Sequence, residues 1–137
     1  MKWIEIKSDM DIQHLNDIYD DFEDSYIVRM EYISGDYVDK DLLGHMEQKN
    51  DLKVTFQRLN NNPFSIELWF TNTKCVNLVF VNPPDKCLSN IIYAKVCRND
   101  KSIFWTVWQE FNPNNEEHLF GTTLIESSGL KWRIVEN

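Results

Sequence analysis

The first periodic segment of the chain is an amphipathic helix. Ser8 or Asp9 is a suitable N-cap, and the spacing predicts a helix that runs to about Asp21. One apolar stripe recurs every three or four residues and is expected to face the core. The residues of that stripe are Ile12, Leu15, Ile18, Tyr19 and Phe22.

Beyond the helix the apolar period changes to two, which predicts β-strands. The turn Asn60–Pro63 predicts an antiparallel hairpin between its flanking strands, and the segment 39–51 is polar, with a short helical turn expected around 42–46. The segment 103–108 is apolar at both parities, which favours a central strand covered on both faces. The predicted strands are 26–33, 52–57, 64–71, 76–80, 91–97, 103–108, 122–126 and 130–135.

One helix and about eight strands predict an α+β fold that is mostly antiparallel β, in a single domain over residues 1–137. We expect the N-terminal helix to pack on a curved meander sheet, a sandwich or a partly open barrel. A parallel α/β fold is excluded because the chain has only one crossover-sized helix. No signal-peptide pattern or membrane-length apolar run is present, so a cytoplasmic location is expected.

Charge is concentrated in the first third of the chain. The net charge is −8, yet residues 1–51 hold 5 Lys/Arg and 14 Asp/Glu, a net of −9, and residues 52–137 carry +1. Nucleic acid and anionic membranes are therefore disfavoured as partners, because both require phosphate neutralisation. The imbalance favours a basic protein partner, a cation or simple solubility.

No metal or cofactor is predicted. Asp39, Asp41 and Gly44 match positions of an EF-hand loop, but Asn50 stands where the closing bidentate glutamate belongs. The chain has no phosphate-binding glycine-rich loop. The three histidines, His14, His45 and His118, are dispersed.

The thiols and carboxylates form no catalytic signature. Cys75, Cys87 and Cys97 form no CxxC pair and are expected to be reduced residues in or near the core. The pair Glu116–Glu117 is expected to be solvated. The chain also has no GxSxG motif, so no catalytic residue is predicted, and an enzyme of an unrecognised kind remains only a third hypothesis.

Arg58 shares the parity of the apolar positions in 52–56 and is predicted to point inward. A buried arginine needs a carboxylate, and the candidates are Glu67, across the hairpin, and Asp24. We predict a structural Arg58–Glu67 ion pair that fixes the register of the sheet.

Five short segments of the chain resemble a family of small uncharacterised acidic proteins of low-GC Gram-positive bacteria. The similarity spans residues 22–133 and implies strand and turn segments, with no established activity attached to them. The segments are FEDSYI (22–27), YISGDYV (32–38), LKVTFQR (52–58), IELWF (66–70) and KWR (131–133).

The leading functional hypothesis is a non-catalytic, acidic protein-binding domain, of which an immunity-type protein that neutralises a basic toxin is the most concrete version. The alternative is a small-ligand or carbohydrate-binding β domain that uses exposed Trp69, Trp105 or Trp108. In the leading hypothesis carboxylates steer the partner and two tyrosines act as aromatic anchors. The predicted partner-binding residues are Asp17, Asp20, Asp21, Glu23, Asp24, Asp36, Asp39, Asp41, Tyr19 and Tyr37.

Overall fold

Helix α1 (Asp9–Ile18) begins where the sequence predicts, in a computed structural model that describes residues 2–80, 91–115 and 121–135. Ser8 is its N-cap, and Asp11 completes a capping box by accepting from the Ser8 backbone. The helix ends three residues earlier than predicted, and a short 3₁₀ turn, Asp20–Phe22, follows it. The predicted apolar stripe packs into the core as expected.

Over the described residues the main sheet has seven antiparallel strands and is not closed into a barrel, which confirms the α+β class with an N-terminal helix and a mostly antiparallel sheet. Its order is β2-β5-β6-β9-β8-β7, with β1 paired to the free side of β9. The strands of this sheet are β1 (Ile4–Glu5), β2 (Ser25–Ile33), β5 (Asp51–Arg58), β6 (Ser65–Asn77), β7 (Lys95–Arg98), β8 (Ile103–Thr106) and β9 (Leu124–Ile134).

The sheet is curved enough to bring parts of its two ends together. Ser25, at the start of the edge strand β2, forms an isolated antiparallel bridge with Ile91, which precedes the opposite edge strand β7. Strand β8 lies between β9 and β7, and all four of its residues are buried. The prediction of a central strand covered on both faces is therefore confirmed.

Two strand predictions were wrong in the same way, because each divided one long strand in two. Strand β6 continues through the predicted gap at 72–75 by means of a bulge between Thr73 and Cys75. Strand β9 continues through Gly129, which the sequence pattern places in a turn. A Cβ at Gly129 would lie 2.5 Å from Oγ1 of Thr71, so this glycine permits close strand contact. The run NPPD (82–85) predicts a turn after strand 76–80, and it lies outside the described residues.

A small two-stranded sheet projects from the end of β2. Strands β3 (Tyr37–Val38) and β4 (Gly44–His45) pair where a helical turn is predicted. We call residues 34–50 the arm, because none of its residues is buried. Within the described residues, no helix is long and apolar enough to cross a membrane.

Candidate functional site

The segment that follows α1 is a left-handed turn made without glycine. The φ angles are +47° at Asp20, +52° at Asp21, +60° at Phe22 and +57° at Asp24. A left-handed conformation costs roughly 1–2 kcal/mol for each residue that carries a Cβ. Tertiary contacts must therefore hold this turn, and such enforced backbone conformations are concentrated at functional sites.

Hydrogen bonds from distant segments hold the turn in place. The amide of Ala94 donates to the carbonyl of Asp21 at 2.9 Å, and the Leu59 amide donates to the carbonyl of Asp24 at 3.3 Å. The Ser25 hydroxyl donates to the Phe22 carbonyl at 2.6 Å. The ring of Phe22 itself is fully buried in the core. Hydrogen bonds therefore hold the backbone of the turn at Asp21, Phe22 and Asp24.

Arg58 is the main tie between this turn and the β5–β6 hairpin. Its side chain is only 2% exposed, which confirms that it points inward. Its guanidinium donates to Oδ2 of Asp20 at 2.8 Å and to the carbonyls of Pro63 and Asn62 at 2.9 Å each. A longer bond, 3.3 Å, reaches the carbonyl of Ile18 at the end of α1. One buried cation thus joins the helix end, the acidic turn and the hairpin loop.

The predicted Arg58–Glu67 ion pair is wrong. Glu67 instead accepts from Arg133, with a distance of 2.9 Å between Arg133 Nη2 and Glu67 Oε1. The register places Glu67 opposite Thr55, on the face of the sheet away from the core, whereas Arg58 lies on the core face. Two side chains on opposite faces of a sheet cannot pair.

Tyr19 is not an aromatic anchor for a partner, because the structure buries it completely. The Arg58 guanidinium lies 4.3 Å from the centre of its ring, and its hydroxyl donates to the carbonyl of Phe64 at 2.9 Å. Burial raises the pKa of this phenol, and the positive charge of Arg58 only partly opposes the increase. Tyr19 is therefore a buried residue that packs against Arg58 and helps to position it.

Three of the acidic residues around this turn line an open polar cleft. We call Asp17, Asp20, Asp21, Glu23 and Asp24 the helix-exit acids, and all five are exposed. The cleft has a volume of about 430 Å³ and is lined by Asp20, Glu23, Asp24, Arg58, Leu59, Asn60 and Asn61.

Some of these carboxylates interact with one another electrostatically. Desolvation raises the pKa of Asp21, and the negative charges of Asp17 and Asp20 raise it further. Asp20 is the only one of the helix-exit acids with an ion-pair partner among residues 2–80, 91–115 and 121–135. Within the part of the chain that the structure describes, the other four carboxylates therefore have no cationic partner.

The remaining three predicted acids lie in the arm, at the other end of β2. Strand β2 spans nine residues, so the two acidic groups are separated by about 26 Å along the strand. In the arm, Asp39 accepts from the amides of Asp41 and Leu43 and pairs with Nε2 of His45 at 2.7 Å. The structure therefore places the eight predicted acids in two separate groups.

Tyr37 remains at the surface, as the predicted anchor requires. Its side chain is exposed, and its ring stacks on the His45 ring with a centroid distance of 4.5 Å. Asp36 accepts from the amide of Gln48 at 2.8 Å, and Asp41 is fully exposed. These residues belong to the arm and not to the cleft.

The tryptophan alternative loses its main feature. Trp105 is completely buried in the core, and Trp108 is half-buried beside the cluster of Phe104, Phe111 and Leu124. Trp69 is also only half-exposed, and the ammonium groups of Lys53 and Lys131 lie 4.4 and 3.7 Å from the centre of its ring. None of the three tryptophans that the alternative could use is therefore an exposed side chain.

The described thiols give no support to nucleophilic chemistry. Cys75 and Cys97 are free and half-buried, as expected. Burial raises the pKa of Cys97 to about 11 and also raises that of Cys75, which lowers the fraction of reactive thiolate. No group of three or more potential metal ligands occurs in the part of the chain that the structure describes. Cys87, His118 and the pair 116–117 lie outside the described residues.

Comparisons of the chain with protein-family models, curated proteins and solved structures found no match. The resemblance drawn from the sequence segments therefore remains an expectation.

The sequence pattern missed Asn60 and Asn61 as part of the cleft. The Asn61 side chain donates to Oδ2 of Asp20 at 2.9 Å, so it shares that oxygen with Arg58. The run of asparagines before Pro63 indicated a turn, and this much was visible in the sequence. The contact between Asn61 and the carboxylate of Asp20, 41 residues away, was not visible in the sequence.

Proposed function

We propose that the protein is a non-catalytic domain that binds a basic protein partner through the helix-exit acids. The most concrete form is an immunity-type protein of the bacterial cytoplasm that neutralises a basic toxin. The observation that carries the proposal is a set of four exposed carboxylates, Asp17, Asp21, Glu23 and Asp24, that have no ion-pair partner among the described residues. Glu23 and Asp24 also line the polar cleft.

Holding the carboxylates of the helix-exit acids close together costs electrostatic free energy. Like charges at short distance repel, and the raised pKa of Asp21 reflects part of that repulsion. A cationic partner relieves the repulsion, so the free energy stored in the unbound protein favours binding. The anchored backbone also means that little conformational entropy is lost when the partner binds.

Such a patch acts mainly on the rate and specificity of association. Negative potential steers a positively charged partner toward the patch and raises the association rate. At an ionic strength of about 0.15 M the Debye length is near 8 Å, so several clustered carboxylates act together while distant ones are screened. Binding of this kind is therefore expected to weaken as salt is added.

The experiment tests binding between the purified chain and the purified products of the genes that flank its own. We expect one basic product to bind at low salt and to release as salt is raised. The test variant carries Asp17→Asn, Asp21→Asn, Glu23→Gln and Asp24→Asn. The matched control changes four exposed acids elsewhere, Glu5→Gln, Glu31→Gln, Asp100→Asn and Glu110→Gln, so both variants have the same net charge.

The proposal predicts that the test variant loses most of the affinity while the control variant keeps it. Equal losses would mean that net charge, not the patch, drives association. Binding that is indifferent to salt and to both variants, or no basic partner among the flanking products, would overturn the proposal.

A further inference from the structure

We infer that the arm, residues 34–50, is a preformed docking element for a protein surface in which an apolar strip is flanked by lysine or arginine side chains. The inference rests on the proposed function, because it assumes a basic partner, and it adds an apolar anchor that the acidic residues alone do not provide.

The first observation is the number of apolar side chains that the arm leaves in water. Leu42 is 85% exposed, Met46 is 80%, Val38 is 66% and Leu43 is 63%. Together with Tyr37 they place five exposed apolar or aromatic side chains within residues 37–46, and concentrated apolar exposure on a soluble protein is often functional. Because no residue of the arm is buried, these side chains do not serve a core.

The second observation is that the arm is ordered by polar contacts instead of packing. An isolated two-stranded hairpin is marginally stable in water, so its conformation must be supported by other interactions. Asp39 binds two amides of the β3–β4 turn and the ring of His45. The amide of Lys49 donates to the carbonyl of Ser34 at 2.8 Å and closes the base of the arm. The apolar side chains are therefore presented on a fixed scaffold, which reduces the entropic cost of docking.

The third observation is the placement of those side chains around the arm. The register pairs Tyr37 with His45 and Val38 with Gly44, so the two residues of β3 point to opposite faces. Leu42 and Leu43 lie in the turn between the strands. An element that is apolar on both faces and at its tip is best buried when a partner surrounds it.

Charge identifies the chemistry of that partner. The arm carries Asp36, Asp39, Asp41 and Glu47 against Lys40 and Lys49, a net of −2 with His45 neutral. A second copy of the chain is disfavoured as the partner, because two arms of like charge would face each other and each molecule carries a net charge of −8. An anionic membrane would also repel the arm. An apolar strip with a basic border complements both features of the arm.

The test measures the affinity of the full chain for a short synthetic amphipathic peptide of lysine and leucine, by isothermal titration calorimetry. The test variant combines Leu42→Asn with Met46→Gln. Leu42 has a φ of +65°, a conformation that asparagine tolerates better than leucine, so this change does not strain the turn. The control is Met10→Gln, because Met10 is 83% exposed on α1 and resembles Met46 in its exposure.

We expect the native chain and Met10→Gln to bind the peptide alike, and the arm variant to bind about tenfold or more weakly, as loss of two interface anchors implies. A lysine–serine peptide of equal charge should bind poorly to all three. No binding of the lysine–leucine peptide, or equal binding by the arm variant, would overturn the inference.

Other occupants of the arm give distinct results. Self-association of the native chain that the arm variant loses, measured by sedimentation velocity, would assign the arm to a second copy and overturn the inference. Flotation of the protein with zwitterionic phosphatidylcholine vesicles, if it depends on Leu42, would assign the arm to lipid and also overturn the inference. If the lysine–serine peptide binds as well as the lysine–leucine peptide, the arm inference fails while the acidic-patch proposal stands.

Discussion

Replacing Arg58 with methionine removes the buried cation that ties the left-handed turn to the hairpin, and it should destabilise the fold substantially. The guanidinium is 2% exposed and donates to three backbone carbonyls and to one carboxylate. The carboxylate of Asp20 is 53% exposed, so it can return to water and contributes little to the loss.

The carbonyls and the aromatic contact determine the magnitude. Each lost bond from a charged donor to a carbonyl costs about 1 kcal/mol when water can partly replace the donor, as the open cleft allows. Loss of the cation–π contact with Tyr19 adds about 1 kcal/mol. Methionine recovers part of this by burying apolar surface, so we expect a net loss of roughly 3 kcal/mol. A domain of this length has a free energy of unfolding of roughly 7–15 kcal/mol, so the variant should still fold.

Equilibrium unfolding in urea measures this loss as a shift of the midpoint at constant slope. The matched control is Arg133→Met, which makes the same chemical change at a side chain that is 37% exposed. It loses an ion pair with Glu67 and a cation–π contact with Trp3 but no backbone carbonyl partners, so it should cost less, about 1–2 kcal/mol. Arg58→Lys keeps the charge but cannot reproduce the forked donor geometry, so its loss should be intermediate. If Arg58→Met and Arg133→Met shift the midpoint equally, the role assigned to Arg58 is wrong.

Three further predictions concern other parts of the fold. Gly129→Ala should destabilise the sheet by about 1–3 kcal/mol, because the new Cβ would overlap Oγ1 of Thr71, and thermal unfolding measures this loss. Cys97 should react slowly with iodoacetamide near neutral pH, because burial raises its pKa to about 11, and mass spectrometry of the labelled peptide gives the rate. The arm should loosen only in strong acid, because hydrogen bonds from His45 and from backbone amides lower the pKa of Asp39. The stabilising effect of the Asp39 carboxylate is complete above the ordinary carboxyl pKa and is lost as the pH falls through the lowered value. The amide shift of Leu43 in an NMR titration follows this change.

Each of these predictions has an internal control. Gly44→Ala adds the same methyl group where nothing lies within 4 Å, so it should be nearly neutral, and Thr71→Ala should rescue Gly129→Ala. Cys97 should label quickly once the chain is unfolded in urea, and equal rates in both states would refute the burial argument. In Asp39→Asn the acid titration of the Leu43 amide should disappear, and its persistence would show that another group is responsible.

Local patterns in the sequence were sufficient for the helix, the hairpin and the fold class. Ser8 and the apolar stripe determine where α1 begins and which face is buried, because both depend on residues within a few positions of each other. The alternation in β5 likewise predicts that Arg58 points inward. These are properties of period and parity, which are legible in a single chain.

The partner of Arg58 and the path of β9 depend on long-range contacts. Asp20 reaches Arg58 only because three consecutive residues adopt left-handed angles, and aspartate and phenylalanine do not signal that conformation in sequence. Gly129 is typical of a turn by composition, yet it serves close approach to Thr71 on a neighbouring strand. The same limit explains why Tyr19 was predicted as an exposed anchor. Its hydroxyl is compatible with an exposed position, but its ring lies against the buried guanidinium of Arg58.

The proposed function depends most on whether the helix-exit acids form a coherent patch of negative potential. Paired NMR relaxation measurements with a cationic and a neutral nitroxide report the local potential at each backbone amide of the unbound protein. We predict that the cationic nitroxide is most enriched, relative to the neutral one, at the amides of residues 20–24, and that the enrichment decreases with added salt. Enrichment that is uniform over the surface, or greatest elsewhere, would contradict the account.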